Sequence, residues 1–149
     1  MKENVKKNLE KNLVNVLLHR IVKSNPDILP ELEERIIEIA KSLNLDQFKI
    51  NNLALSFSEA ISNSMRHGNK YSDKKNVEIE VYTDNNKLFI SLKDEGKGFD
   101  VSSVPDPTKP ENILKESGRG IHIMKNFLDD VKFNFTENGT EVILVLNLK

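Results

Sequence analysis

Apolar residues recur at helical spacing in two successive stretches of the chain. The first stretch follows Pro26 and Pro30, and its apolar positions are Leu32, Ile36, Ile39, Ala40 and Leu43. The second follows Asp46, a residue type that favours the N-cap position, and its apolar positions are Ile50, Leu53, Ala54, Phe57, Ile61 and Met65. This pattern predicts two amphipathic helices. Gly68 then provides a stop for the second helix.

Further along, the apolar period changes from helical to two. Residues 13–23 are rich in β-branched side chains and are typical of a first strand. Residues 77–82 alternate between apolar and polar or aromatic side chains, and residues 88–92 resume the alternation after Asp84–Asn86. Short asparagine-containing turns join neighbouring strands, so the sequence predicts an antiparallel hairpin.

A second hairpin is predicted near the end of the chain. Residues 131–135 lead through Asn138 and Gly139, a strong hairpin-turn signal, into the alternating residues 140–148. Between the two hairpins lie two glycine-rich segments, which a proline-rich stretch separates. The second of these segments begins at Ser117 and opens a further helix.

The predicted order is strand, two helices, hairpin, glycine-rich turn, long loop, glycine-rich helix start and hairpin. It favours an α+β fold, a two-layer α/β sandwich with the helices on one face of a mostly antiparallel sheet. No strand–helix–strand unit precedes a glycine-rich loop, which argues against a doubly wound dinucleotide-binding fold. We expect a polar N-terminal tail over residues 1–12 and a single domain over residues 13–149.

Composition limits the function classes that are open to the chain. The 149 residues are 30% charged and 38% hydrophobic, with a formal net charge of -1, so no global field attracts nucleic acid. The chain has no cysteine, which excludes disulfides, thiolate nucleophiles and cysteine zinc sites. Asn15, His19 and Arg20 interrupt the apolar run of residues 13–22, which is also too short to span a bilayer. We therefore expect a cytoplasmic protein without direct nucleic-acid or membrane partners.

Four of the six glycines form two Gly-x-Gly pairs. Gly96 and Gly98 follow a predicted strand, and Gly118 and Gly120 open a predicted helix. Glycine permits the backbone to approach a ligand closely, and free N–H groups at a helix start favour phosphate. Taken alone, each pair is more often an ordinary turn.

Asp94 lies directly before the first glycine pair, at the end of a strand that should be half buried. A buried carboxylate needs a hydrogen-bond partner, and two interpretations supply one. In the first, Asp94 caps the Gly96 turn through an Asx-type bond. In the second, it accepts a hydrogen bond from the exocyclic amine of a base. Adenine has an amine at that edge where guanine has a carbonyl, so a carboxylate there selects adenine.

Glu59 and Asn63 share one face of the second helix because they are four residues apart. At about 100° per residue, they lie opposite the apolar stripe together with Asn52, Ser56 and Arg66. One interpretation is an ordinary solvated helix face. The other makes Asn63 an oxygen ligand for Mg²⁺ and Glu59 a general base. The pair alone does not decide between them.

The order of these motifs is more informative than any one of them. An E-x-x-x-N helix, D-x-G-x-G after a strand, a long loop, G-x-G at a helix start and NGTEV in a final hairpin follow one another. This order resembles the GHKL ATPase superfamily, whose members share the Bergerat ATP-binding fold of a histidine-kinase-like ATPase domain. The short single-domain form is most similar to the bacterial anti-sigma-factor serine kinases, the switch kinases. The resemblance extends over residues 13–149.

The resemblance implies ATP and Mg²⁺ as cofactors and a role for each matched residue. Asn63 is implied as the Mg²⁺ ligand, and Glu59 as the base that activates an attacking hydroxyl. Asp94 is implied to bind the adenine amine with help from Thr140. The glycines are implied to let the backbone approach the base or the phosphates, and they are Gly96, Gly98, Gly118 and Gly120.

The loop of residues 101–117 is implied as a lid that closes over the nucleotide. Some members of the superfamily place a basic lid residue shortly before the second glycine pair, against the terminal phosphate. Here Glu116 is near that position. Arg119 is the preferred phosphate contact and Lys115 the second choice, and the interpretation as exposed cations without a role stays open.

The resemblance also implies an activity and partners. It implies a protein-serine kinase that phosphorylates a small anti-anti-sigma protein of the STAS type, alternately binds a sigma factor, and forms a homodimer. One alternative is a nucleotide-gated binding module that uses the same pocket but does not phosphorylate its partner. Another is a stand-alone histidine-kinase-like catalytic domain, although none of His19, His67 and His122 is placed as a phosphoacceptor on a helical hairpin.

Overall fold

The computed structural model describes residues 14–96 and 124–149. Five strands form one sheet in the order β1-β2-β3-β5-β4, and every neighbouring pair is antiparallel. The strands are β1 (Val14–Lys23), β2 (Asn76–Asp84), β3 (Lys87–Asp94), β4 (Asp130–Thr136) and β5 (Gly139–Asn147). The helical elements are a 3₁₀ turn (Pro26–Ile28), α1 (Leu29–Ser42), α2 (Gln47–Asn63) and residues 124–127.

Both predicted amphipathic helices are present. Pro30 lies in the first turn of α1, where a missing N–H group removes no helical hydrogen bond. Asp46 caps α2, and its side chain accepts a hydrogen bond from the Lys49 N–H at 2.8 Å. α1 packs on α2, and α2 packs on β3 and β5. The helices form one layer over one face of the sheet, which confirms the predicted two-layer α/β sandwich.

The second helix continues beyond Asn63 as a π-helical turn, Ser64–Gly68. Its closing hydrogen bond runs from the Asn69 N–H to the Ser64 carbonyl at 2.9 Å. Left-handed φ angles follow at Lys70 and Tyr71, 51° and 56°. The helical segment ends at Gly68, which confirms the predicted stop, but the left-handed φ angles that reverse the chain belong to Lys70 and Tyr71 and not to the glycine.

The predicted first strand and first hairpin are present. β1 pairs with β2 along its whole length, with one irregularity of register between Val16 and Leu18. Asn85 and Asn86 join β2 to β3 with φ angles of 49° and 65°, the left-handed pair that a type I′ turn requires. This turn brings the end of β3 next to the start of β2.

The second hairpin is also present, but its turn differs from the prediction by one residue. Glu137 and Asn138 lie between β4 and β5, whereas the sequence indicated Asn138 and Gly139. The Thr136 hydroxyl donates a hydrogen bond to the Gly139 carbonyl at 2.9 Å. That bond joins the two residues that flank the turn, so Gly139 becomes the first residue of β5.

The core lies between the sheet and the helices. It contains the apolar stripes of both helices and the inward residues of the strands, with Phe57, Met65 and Leu92 fully buried. Ser56 is fully buried as well, so its predicted place on the exposed polar side of α2 is wrong. The exposed side of α2 includes Leu55, which is 43% exposed.

The other face of the sheet carries an apolar group that we call the outer patch, Val16, Ile21, Tyr82 and Phe89. The rings of Tyr82 and Phe89 stack with their centroids 4.9 Å apart. Val16 is 54% exposed and Ile21 61% exposed, and both belong to the edge strand β1. Exposed apolar side chains on an edge strand are typical of an interaction surface. Within residues 14–96 and 124–149, no helix has the length and hydrophobicity that a membrane crossing requires.

Candidate functional site

Asp94 ends β3 and forms the centre of the site. The residue is only 9% exposed. Its Oδ1 accepts hydrogen bonds from the Gly96 N–H at 3.0 Å and from the Thr140 N–H at 3.1 Å. Three residues that the sequence singled out, Asp94, Gly96 and Thr140, are thus brought together by direct contacts.

The first interpretation of Asp94 is confirmed, because its bond to the Gly96 N–H is an Asx-type cap. This cap does not use the whole carboxylate. Both backbone donors meet Oδ1, and among the described residues none donates a hydrogen bond to Oδ2. Each carboxylate oxygen has two acceptor positions. With respect to residues 14–96 and 124–149, Oδ2 therefore keeps acceptor positions that an N–H group of a ligand would fit.

Burial raises the pKa of Asp94 above its usual value, because desolvation disfavours the charged form. The N–H groups of Gly96 and Thr140 and the charge of Lys75 oppose this rise without cancelling it. Keeping a buried carboxylate in its charged form costs stability. Perturbed groups of this kind are concentrated at functional sites.

Glycines surround Asp94 at positions where a larger residue does not fit. A Cβ atom at Gly68 would overlap the Asp94 carboxylate, and a Cβ atom at Gly96 would overlap the Gly68 carbonyl. Gly139 has a φ of 154°, and a Cβ atom there would overlap the Asp94 carbonyl. Gly68 is therefore glycine because the π-helical turn packs directly on the end of β3.

Glu59 and Asn63 lie in the last turns of α2 and are both partly exposed. The π-helical turn that follows them contacts β3 and β5 and ends at Gly68, against Asp94. At about 1.5 Å of rise per residue, Asn63 lies about 7 Å from Gly68 along the helix and Glu59 about 13 Å from it. Asp94 thus lies at the end of the helical segment whose last α-helical turns carry the polar pair.

Some predicted site residues lie outside the described residues, and they are Gly98, Lys115, Gly118, Arg119 and Gly120. The predicted lid (residues 101–117) and the predicted tail (residues 1–12) lie outside them as well. In the part of the chain that the structure describes, no group of three or more His, Asp or Glu side chains is placed to hold a metal ion.

Sequence reasoning missed Asn69, which follows the predicted helix stop. Asn69 is 1% exposed, and its side chain forms hydrogen bonds with Ser24, Asn76 and Glu95. Neither helical nor strand periodicity marks such a residue, because a buried amide in a loop is explained only by its partners. A glycine followed by an asparagine at the end of an amphipathic helix was the one local signal.

Comparisons with known sequences agree with the fold. The family profile described as "Histidine kinase-like ATPase domain" matches residues 22–146. The anti-sigma F factor of Bacillus licheniformis is 38% identical over 96 residues, which are 61% of this chain and 64% of that protein. The chain therefore spans just under two thirds of that relative's length. The serine-protein kinase RsbW of Listeria monocytogenes (serotype 4a, strain HCC23) is 27% identical over 112 residues, 71% of each chain.

Two solved structures share the architecture. The SiaB–SiaC complex of Pseudomonas aeruginosa contains a chain with a TM-score of 0.70 and 10% sequence identity, over 97% of both chains. A structure of RsbU and RsbW domains from Mycobacterium tuberculosis has a TM-score of 0.64 and 14% identity, over 87% of this chain and 32% of that one. At these identities the likeness concerns the fold alone.

Proposed function

This chain belongs to the histidine kinase-like ATPase domain family, and we propose that it is an ATP-dependent serine protein kinase that acts as an anti-sigma regulator. Its protein substrate is an anti-anti-sigma protein of the STAS type, and its second partner is a sigma factor. The similarity to an anti-sigma F factor and to a serine-protein kinase supports both parts of this proposal.

The observation that carries the proposal is the buried Asp94 carboxylate, whose Oδ2 receives no hydrogen bond from the described residues. A buried acceptor that no described residue occupies fits the exocyclic amine of adenine. Gly68 packs directly on the Asp94 carboxylate and Gly96 packs on the Gly68 carbonyl, so the two glycines hold the carboxylate in place from one side. The backbone of Thr140 is held beside the carboxylate, because its N–H donates a hydrogen bond to Asp94 Oδ1.

The polar end of α2 fits the remaining parts of a Mg-ATP site. The amide oxygen of Asn63 is a suitable Mg²⁺ ligand, since Mg²⁺ takes few protein ligands when phosphates supply the others. When bound, Mg²⁺ neutralises phosphate charge. The phosphate contacts proposed from the sequence are the backbone at Gly118 and Gly120, with Arg119 as the preferred cation and Lys115 as the second choice.

Glu59 is proposed as the general base. The serine hydroxyl oxygen of the substrate attacks the γ-phosphorus, the bond from that phosphorus to the bridging oxygen of ADP breaks, and the hydroxyl proton passes to the Glu59 carboxylate. Phosphoryl transfer requires positioning and charge stabilisation more than covalent chemistry from the protein. One turn of helix separates Glu59 from Asn63, so a single rigid element positions both groups.

We further propose that the protein forms a homodimer through the outer patch. The partly exposed Tyr82–Phe89 stack and the exposed Val16 and Ile21 offer apolar side chains on a sheet face and an edge strand, where Val16 is paired with Tyr82. Covering such a surface removes apolar area from water, at about 25 cal/mol per Å². Sedimentation at micromolar concentration is expected to give twice the monomer mass, and Ile21→Lys is expected to give the monomer.

The proposed activity is tested by incubating the purified chain with Mg-ATP labelled on its γ-phosphate and a STAS-type protein from the same genome. We expect label on a serine of that protein and release of ADP in equal amount. A complex that depends on ATP but transfers no label would point to a nucleotide-gated binding module instead. Absence of both label and complex would contradict the proposal.

Gly68→Ala is expected to weaken Mg-ATP binding about tenfold or more. The added methyl group must displace the Asp94 carboxylate, which then loses alignment with its backbone donors, and a misplaced buried hydrogen bond costs about 1–3 kcal/mol. The measurement is calorimetric titration with Mg-ATP. His67→Ala, at the preceding exposed position, is the matched control and should bind as the wild type does. Equal affinity of Gly68→Ala and wild type would show that the close packing has no part in binding.

A further inference from the structure

The Asn69 side chain connects four segments of the fold at the edge of the site. Its Nδ2 donates hydrogen bonds to the Ser24 Oγ at 2.7 Å and to the Asn76 carbonyl at 2.8 Å. Its Oδ1 accepts a hydrogen bond from the Glu95 N–H at 2.7 Å. These partners follow β1, begin β2 and follow β3, while Asn69 itself follows the π-helical turn. One buried amide therefore joins three strand ends to the helix end.

The orientation of this amide is determined by its partners. The Asn76 carbonyl can only accept a hydrogen bond, and the Glu95 N–H can only donate one. The Ser24 hydroxyl donates to the Lys75 carbonyl at 3.1 Å, so its oxygen lone pairs face Asn69. In a flipped amide the NH₂ group would face the Glu95 N–H, and the oxygen would face the Asn76 carbonyl. Donor would then face donor and acceptor would face acceptor, which excludes the flipped orientation.

The bond to Glu95 connects Asn69 with base recognition. Glu95 is the residue between Asp94 and Gly96, so fixing its N–H fixes the turn that carries the carboxylate and its cap. The Glu95 side chain gives this turn a second tie, because its Oε2 accepts a hydrogen bond from the Asn76 N–H. The preceding Gly68 meanwhile packs on the Asp94 carboxylate. Asn69 thus follows Gly68 on one side of the contact between Gly68 and Asp94, and on the other side it binds Glu95, the residue after Asp94.

We propose that Asn69 is a positioning residue for base selection: it holds the Asp94 turn so that Oδ2 lies where only an exocyclic amine is accepted. The inference rests on the proposed nucleotide-binding function. Adenine offers an amine to Asp94, whereas guanine offers a carbonyl that a fixed carboxylate repels. A turn released from Asn69 can move its carboxylate aside, which weakens ATP binding and reduces the penalty against GTP.

The test is the ratio of the dissociation constants of Mg-GTP and Mg-ATP, measured by calorimetry for the wild type and two variants. Asn69→Ala should lower this ratio about tenfold or more. Ser24→Ala is the matched control. Like Asn69→Ala, it removes the hydrogen bond between Asn69 and Ser24, but it leaves the bond between Asn69 and the Glu95 N–H. It should therefore lower the melting temperature and keep the ratio within about twofold of the wild-type value.

Glu95→Ala provides a second route to the same answer, since Glu95 is exposed and its truncation should leave the fold intact. It removes the second tie of the turn and should lower the ratio about threefold. If Asn69→Ala does not fold, Glu95→Ala decides the matter. A wild-type ratio in the folded variants, with only a lower melting temperature, would make Asn69 a structural residue and overturn the inference. A wild type that binds no nucleotide would overturn the proposed function instead.

Discussion

Asp94→Asn is expected to lower the affinity for Mg-ATP about 100-fold, equivalent to about 2.7 kcal/mol. The asparagine Oδ1 can still accept from the N–H groups of Gly96 and Thr140. Its amide nitrogen, however, replaces Oδ2 and presents donors to the adenine amine. In the variant, two donors face each other in a buried site where the wild type has a hydrogen bond to a charged carboxylate. The loss of affinity is measured by calorimetric titration of the variant with Mg-ATP.

The same substitution, Asp94→Asn, should reduce the difference in affinity between Mg-ATP and Mg-GTP. A guanine carbonyl accepts from the new amide nitrogen, so GTP is expected to gain affinity relative to ATP. An equal loss of affinity for Mg-ATP and Mg-GTP would mean that Asp94 stabilises the pocket but does not contact the base. Wild-type affinity for Mg-ATP would contradict the assignment of Asp94 outright.

The stability of Asp94→Asn serves as the control for folding. The folded-state pKa of Asp94 is raised, so its charge opposes folding at pH values above that folded pKa. This opposition disappears as the pH falls through the raised pKa and is absent below the unfolded pKa. Asp94→Asn should therefore be at least as stable as the wild type at neutral pH, and the difference should shrink in acid. Urea unfolding at a series of pH values measures it.

Glu59→Gln is expected to reduce the rate of phosphoryl transfer by about 10²–10⁴-fold, the usual contribution of a positioned general base. Glutamine keeps the size of the side chain but cannot take the proton of the serine hydroxyl. Because Glu59 lies about 13 Å along the helix from Gly68 and the adenine pocket is at Asp94, the affinity for Mg-ATP should stay within about threefold. Label transfer to the STAS-type protein and calorimetry measure the two quantities separately.

Glu33→Gln is the matched control for this variant. Glu33 lies on α1 and accepts a hydrogen bond from the hydroxyl of Ser58, the residue before Glu59, at 2.7 Å. Its substitution removes a neighbouring carboxylate without touching the proposed base, and transfer should proceed as in the wild type. Equal rates for Glu59→Gln and Glu33→Gln would show that the base is another group.

Local chemistry was enough to predict the elements of this fold. The cap at Asp46 and the turn at Asn85 and Asn86 each depend on residues close in the chain, and both are confirmed. The hydrogen bond between the Thr140 N–H and Asp94, in contrast, joins residues that are far apart in the sequence, so local chemistry does not predict it. It could be expected only from the order of motifs that resembles the family.

Properties that depend on tertiary packing could not be predicted from the sequence. The position of Ser56 follows from how far α2 rotates into the core, which helical periodicity leaves undetermined by about one residue. Gly68 was interpreted as a conformational stop, whereas its lack of a side chain is needed by Asp94, a residue of another element. Asn69 is explained by three partners from three strand ends. None of these contacts leaves a periodic trace in the sequence.

Asp94 and the end of α2 are proposed to form a site for Mg-ATP. This site is tested by calorimetric titration of the folded wild-type protein with Mg-ATP, with Mg-GTP titrated in parallel. We expect saturable binding of one nucleotide per chain and a preference for ATP of about 100-fold. No heat and no saturation with Mg-ATP, or equal affinity for the two nucleotides, would contradict it.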